Sequence, residues 1–267
     1  MAVTGADPRL AAEQAGSPSR LRALVSDPAK AWNTFAIPLI VLIALAALYQ
    51  YLGGVELTSR EAARLNQPEL ILRARQHVVL SVQIAAWVIA IAVPLGIMLT
   101  RPWAKRLTPI FVGIANAGQA IPSIGLLTIL AIAIGVGQRG AVIGVTAYCI
   151  LPVLRNTLVG IQQVDDSIIE AGRGMGMTRQ AVLWRIEMPL AVPIVLAGVR
   201  TALILAVGTI TLGALVGAGT LGVIINSGVV GFSNPVLITG AVLTASVALL
   251  IDWVAGIAET VLRPKGL

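Results

Sequence analysis

Charge is scarce in this 267-residue chain: 12% of its residues are Asp, Glu, Lys or Arg, about half of what a soluble domain carries. With 57% hydrophobic residues and a mean hydropathy of +0.90, too little polar sequence remains to clothe a soluble core. The chain reads as an all-α integral membrane protein, and its net charge of +7 is no sign of nucleic-acid binding. Cys149 is the single cysteine, which excludes an intrachain disulfide and a cysteine metal cluster. His77 is the single histidine. It argues against a histidine-rich metal site and is read as an interfacial residue at the start of a span. None of the three lysines, Lys30, Lys105 and Lys265, follows the G-x-x-x-x-G spacing of a phosphate-binding loop, so any ATP used is expected on another subunit. Residues 1–33 hold no long apolar run; they read as a polar tail, not a cleavable signal peptide.

What is abundant is aliphatic sequence in blocks. About 20 apolar residues cross the ~30 Å hydrocarbon layer as a helix, and six blocks qualify: 34–52, 78–100, 107–137, 141–161, 188–212 and 235–257. The third is uncharged throughout and would be about 45 Å long as one straight helix. Gly118-Gln119-Ala120-Ile121-Pro122-Ser123 sits in its middle. Proline removes a backbone donor and clashes with the preceding turn, so a break or sharp kink is expected there. Residues 213–234 hold six glycines and no charge. They are too irregular for a lipid-facing helix and too apolar for an ordinary loop, which suggests a re-entrant or capping element protected by other protein. Counting Arg155 at the end of the fourth block, thirteen Lys and Arg fall on the side of residues 1–33, 101–106, 162–187 and 258–267, and five on the other. The positive-inside rule then places both termini in the cytoplasm.

One cytoplasmic connection is long. Residues 162–187 contain Ser167 three residues before Glu170, a capping-box pattern, with Asp165 and Asp166 suited to the positive end of a helix dipole. Gly172, Gly174 and Gly176 are expected to interrupt that helix. Thr178 is expected to cap a second short helix over 179–187, and Pro189 fits the first turn of the next span. Two small helices joined by a glycine-rich turn follow from these residues.

Glu170-Ala171-Gly172, Gly176, Ile186 and Met188-Pro189 closely resemble the E-A-A-x-x-x-G-x9-I-x-L-P loop of binding-protein-dependent ABC importer permeases, with Gly172 and Met188 as conservative departures. Thr100-Arg101-Pro102-Trp103, the Gly118–Ser123 run, Leu151-Pro152-Val153-Leu154-Arg155-Asn156-Thr157, Gly174-Met175-Gly176-Met177 and Leu196-Ala197-Gly198-Val199-Arg200-Thr201 resemble the osmoprotectant branch, which takes up glycine betaine, choline, carnitine or related compounds. The resemblance spans about 75–260, leaving the tail and a first span with its external loop (34–74) outside it and a short C-terminal tail at 261–267. It implies a type I ABC importer permease fold, an inner-membrane location and a coupling helix. That helix would contact a separate ATPase through Glu170, Ala171, Gly172 and Gly176, with Arg173 and Arg179 facing acidic residues there. It further implies two ATPase subunits, a second permease copy or relative, and an extracytoplasmic solute-binding protein. No cofactor is expected on this chain; ATP and Mg would sit on the ATPase.

A quaternary ammonium is held over aromatic faces, and the chain has only 11 aromatic residues, of which Trp32, Tyr51, Trp103 and Trp184 read as helix-end anchors. Selection is therefore expected in the separate receptor, with a low-affinity path here. Asn116, Gln119, Pro122 and Ser123 at the break, Arg200 and Thr209 in the fifth span and Asn226 in the glycine-rich connector are the path candidates, helix–helix hydrogen bonding being the competing explanation. Arg200 lies about 18 Å along its helix from Met188 and needs a cavity, carbonyls or a partner, whereas Asp252 is expected to be hydrated near the cytoplasmic end. A permease for methionine or another amino acid is the nearest alternative. A gradient-driven carrier would need inverted repeats and a mid-span acid, and neither is evident.

Overall fold

The structure, a computed structural model, describes residues 28–262. The expectations for most of the N-terminal tail and for residues 263–267 lie outside the described residues. Helices follow one another without a strand among the described residues: α1 (Pro28–Gly53), α2 (Ser59–Arg64), α3 (Gln67–Leu99), α4 (Thr108–Ala120), α5 (Ser123–Ile134), α6 (Gln138–Gln162), α7 (Asp166–Gly174), α8 (Arg179–Val182), α9 (Met188–Leu212), α10 (Gly222–Val230) and α11 (Asn234–Leu262).

The apolar blocks become α1, α3, the α4–α5 pair, α6, α9 and α11. Helix α3 begins at Gln67, eleven residues before the expected start at 78. Asn66 accepts a hydrogen bond from the Glu69 amide and Pro68 occupies the first turn, so the helix starts at its cap and carries a polar first third. That extension overturns the interfacial reading of His77. The ring is fully buried, with Nε2 3.2 Å from the Val207 carbonyl oxygen on α9.

The expected break is a 96° bend between α4 and α5. Ile121, held extended by the following proline, has ψ 130. The pair still links opposite ends of the bundle. Thr108 Oγ1 at the start of α4 bonds the Leu99 carbonyl, while the Gly137 amide after α5 bonds the carbonyl of Val216 beyond α9. The bent pair is thus one crossing.

Helices α3, α6 and α9 form the centre, where Ile84, Val88, Val145, Cys149, Val153, Leu154, Ala206 and Ile210 are buried together. Small residues let them approach: Gly160 of α6 meets the Ala191 backbone, and Gly198 of α9 meets Asn156, the packing expected where lipid removes a hydrophobic drive between helices. The glycine-rich connector is a 3-10 turn at Gly213–Val216 and the nine-residue α10, a capping element at the end opposite Leu99, Gln162 and Met188.

Candidate functional site

The loop between α6 and α9 is built by five local decisions. Asp165, not Ser167, caps α7: its carboxylate accepts the Ser167 amide at 2.8 Å, which corrects the capping-box expectation. That hydrogen bond holds the Asp165 carboxyl below the usual carboxylate range, so the cap persists at neutral pH and is lost as pH falls through the lowered value. Three acceptors stand in a row, and the first one that leaves the helix geometry intact takes the role.

The helix then runs through Gly172 and Gly174 rather than breaking at them. It stops at Gly176, whose φ is +84. The Gly176 amide bonds the Arg173 carbonyl and the Met177 amide bonds the Gly172 carbonyl, the paired 5→2 and 6→1 bonds of a Schellman C-cap. A Cβ at 176 would have open space around it, so the backbone angle alone demands glycine. Replacing Gly176 by alanine is expected to cost about 1–2 kcal/mol of local stability, read as faster amide exchange over 171–178.

Gly172 is buried: Ile186 Cδ1 lies 2.5 Å from where its Cβ would stand. The two ends of the sequence motif therefore pack on each other. Thr178 caps α8 by accepting the Ala181 amide, as expected. The second helix is not separate from the span, however. It passes through a π-turn at Leu183–Glu187 into α9, with the Met188 amide bonding the Leu183 carbonyl. Pro189 cannot supply the amide that Arg185 would receive in an α-helix, and the wider register absorbs the loss.

The motif divides accordingly. Gly172, Gly176, Ile186 and Pro189 shape the loop, Gly172 being buried within it and Gly176 remaining exposed. Glu170, Ala171, Arg173 and Arg179 are exposed, beside Ile168, Met175 and Trp184; Met175 is 76% and Trp184 61% exposed. An exposed apolar set ringed by charge marks a protein-binding surface.

Behind the loop lies a contact not anticipated from sequence. Glu187, 5% exposed, accepts from the Arg101 guanidinium at 2.5 and 3.4 Å, and Thr100 Oγ1 holds the same guanidinium at 2.9 Å. The link after α3 is thereby tied to the π-turn where the loop enters α9.

The path candidates fall in separate places. Asn116 Oδ1 accepts from Arg155 at 2.9 Å and Gln119 donates to the Tyr148 carbonyl at 3.0 Å, so these two bind α4 to α6 close to the bend at Pro122 and Ser123. Thr209 is half-buried on α9. Arg200 is elsewhere, held bidentately by Asp252 at 2.5 and 2.9 Å, with Glu259 3.5 Å away. Asp252 is the ion-pair partner of Arg200 rather than merely a hydrated acid near the helix end. Asp252→Ala is expected to destabilise the bundle by about 2 kcal/mol, and Arg200→Met with Asp252→Leu to recover most of the loss. Melting of the purified protein checks both.

Asn226 lines a cavity of about 880 Å³ at the opposite end from the loop, between α2, the start of α3, α10 and the start of α11. Thr58 and Glu61 form a capping box on α2, and Ser233 Oγ donates to Glu61 Oε1 at 2.5 Å. These bonds, the Ser233 bond foremost, hold the Glu61 carboxyl below its ordinary value. No group of three or more His, Cys, Asp or Glu able to hold a metal occurs among the described residues.

The family model described as "Binding-protein-dependent transport system inner membrane component" matches residues 92–264. The chain belongs to this family of transport permeases. It is similar to a choline transport system permease protein of Bacillus subtilis, with 36% identity over 202 residues, 76% of this chain and 92% of that protein. A glycine betaine/carnitine/choline transport system permease protein of the same organism is 37% identical over the same shares. An osmoprotectant import permease protein of Salmonella typhimurium is 34% identical over 82% of this chain and 89% of that one. Among solved structures, an inward-facing MetNI methionine ABC transporter matches with a TM-score of 0.66 and 23% identity, over 75% of this chain and all of that chain. The permease fold is thus that of an ABC importer. The family makes this chain a membrane component of the transporter, with ATP hydrolysis left to an ATPase partner and solute capture to a binding protein.

Proposed function

We propose that this chain is the membrane permease of an ATP-driven importer that brings a quaternary-ammonium osmoprotectant, glycine betaine, choline or carnitine, into the cell. The observation that carries this reading is the set of relatives at 33–39% identity that are choline, carnitine or glycine betaine permeases, joined by an osmoprotectant import permease at 34%. The methionine alternative rests on a likeness of 23% identity, which speaks to fold alone.

Two copies of this chain, or this chain and a related one, pair with two ATPases in this reading. Both termini and the α7–α8 loop are cytoplasmic, supported by thirteen Lys and Arg against five. ATP and Mg belong to the ATPases. When they close on ATP, the exposed face of Glu170, Ala171, Arg173, Met175, Arg179 and Trp184 carries the movement, and the Gly172–Ile186 packing with the π-turn passes it to α9. The solute path runs by the bend, where Asn116, Gln119, Ser123 and Arg155 offer polar groups without an excess of fixed acid to trap a cation. Pro122 supplies the bend, and Thr209 contributes further along α9.

The test is ATPase activity of the reconstituted complex, with the co-encoded ATPase and solute-binding protein, across glycine betaine, choline, carnitine, proline and methionine. Stimulation by a betaine-type solute is expected, reduced at least about tenfold in Glu170→Arg and Gly176→Trp. Stimulation by methionine alone would move the substrate, and solute uptake by this chain alone on an ion gradient would overturn the reading.

A further inference from the structure

Given the importer reading, on which this rests, we infer that Arg155 is the group in the path that receives the solute's carboxylate. It biases the permease toward zwitterions, glycine betaine and carnitine, over choline, a cation without a carboxylate.

Two arginines lie well inside the spans, and they are neutralised unequally. Arg200 has Asp252 and Glu259. Arg155 stands seven residues before the end of α6, about 10 Å along the helix from Gln162, and has no ion pair among the described residues. The helices packed against α6 offer it none. They are α3, α4, α5 and α9; α4, α5, α9 and α6 itself contain no Asp or Glu, and the acid of α3, Glu69, is at the opposite end. Glu187, just before α9, is taken by Arg101. The Arg155 side chain is nonetheless exposed. A charged group within a span faces the bundle interior or a water-filled cavity rather than lipid.

The neighbouring polar groups are already spent. Pro152 has no amide to give the Tyr148 carbonyl one turn earlier, and Gln119 Nε2 supplies that missing donor at 3.0 Å. Gln119 thus completes the backbone of α6 and is not free for solute. Asn116, about 12 Å into α4 from Thr108 and so at the depth of Arg155, gives its Oδ1 to Arg155 Nη2 at 2.9 Å. That bond positions the guanidinium beside the bend without neutralising it. One N–H is engaged, and the remaining donors have no partner among the described residues.

A guanidinium held in this way matches a carboxylate bidentately and repels a quaternary ammonium. A zwitterion can turn its carboxylate to α6 and its cationic end away, whereas choline meets the repulsion alone. Because the group is exposed and hydrated, the contact is weak, which suits a solute that must leave again.

The test is uptake into proteoliposomes holding the complete importer, at concentrations of glycine betaine, carnitine and choline that saturate the solute-binding protein. In Arg155→Gln the ratio of glycine betaine to choline uptake is expected to fall at least about tenfold, with carnitine following glycine betaine. Arg155→Lys should recover part of the ratio, because it keeps the charge and loses the fork. Melting temperature is followed alongside. Uptake that falls equally for all three solutes, or a ratio within about twofold of wild type, makes Arg155 a structural or lipid-facing charge and overturns the inference while leaving the importer reading intact. Absence of uptake of all three by wild type overturns that reading. If wild type delivers no choline, alkylation of Ala120→Cys in the receptor-free permease–ATPase complex decides. Ala120 is exposed one turn beyond Asn116, and the native Cys149 is buried. Glycine betaine is expected to slow the reaction, choline not, and Arg155→Gln to abolish the difference; equal effects of the two solutes overturn the inference.

Discussion

Replacing Glu187 by alanine is expected to lower the stability of the permease by about 3–5 kcal/mol and to uncouple transport from ATP hydrolysis. Removing one partner of the pair strands the other charge, here a guanidinium 24% exposed, so the penalty sits at the lower end of that for an unpaired buried ion and above that of one lost contact. Glu187 is 5% exposed and takes the Arg101 guanidinium through two oxygens, so alanine would leave Arg101 with only Thr100 beside it. The position matters as much as the magnitude. Arg101 follows the end of α3, and Glu187 closes the π-turn through which the loop enters α9. The pair therefore ties together two of the three central helices at the face where the ATPase is proposed to push. An apolar exchange, Arg101→Met with Glu187→Leu, should restore melting temperature because neither charge remains to be solvated. If the pair transmits the stroke, solute transported per ATP hydrolysed stays low in that double variant. Wild-type coupling there would assign the pair a purely structural role.

Local features of this fold were legible in the sequence, and long-range polar pairs were not. The spans followed from block hydropathy, the bend from Pro122 in an overlong block, and the loop from motif spacing. The start of α3 was missed because hydropathy falls at Arg73-Ala74-Arg75-Gln76-His77, although Asn66-Gln67-Pro68-Glu69 carried the helix-start signal that decides it. At Asp165-Asp166-Ser167 the residue types were right and the position was not, since all three can cap. Arg101 with Glu187, Arg200 with Asp252 and Glu61 with Ser233 are 86, 52 and 172 residues apart. Nothing in a single sequence says which charges meet across a bundle. The demand that Arg200 have some partner was nonetheless sound, because an unpaired guanidinium at that depth is too costly. Polar residues inside apolar segments are visible in the sequence, but their partners are not: Asn116 and Gln119 bond α6 at the bend, Arg200 pairs with Asp252 of α11, and Asn226 lines the outer cavity.

Gly222→Ala is expected to be the most damaging single-methyl addition at the described glycines, costing about 3 kcal/mol or more. Glycine in the 213–234 connector suggests flexibility on composition grounds, but the packing assigns Gly222 another role. A Cβ there would fall inside the contact radius of the Thr211 carbonyl oxygen and reach 3.0 Å from the Ala214 methyl. On its other side α10 is hemmed by α11, where Gly228 lies against the Leu237 backbone. The helix is wedged between two backbones, and neither can turn aside as a side-chain end would. Its anchor is equally tight: buried Thr220 donates to the Ile210 carbonyl and accepts the Gly222 amide, both at 3.3 Å. Overpacking of a dense site costs about 1–3 kcal/mol and more when backbone must move. Moving α10 would also displace Asn226, Ser227 and Ser233, and with them the tie to Glu61 that frames the outer cavity. The matched control is Gly208→Ala on α9, where a Cβ meets nothing within 4 Å and helix propensity favours alanine by up to about 1 kcal/mol. Thermal melting of the two variants in one detergent should therefore separate in opposite directions from wild type. Equal melting temperatures would mean that α10 is not clamped between the Thr211 and Leu237 backbones.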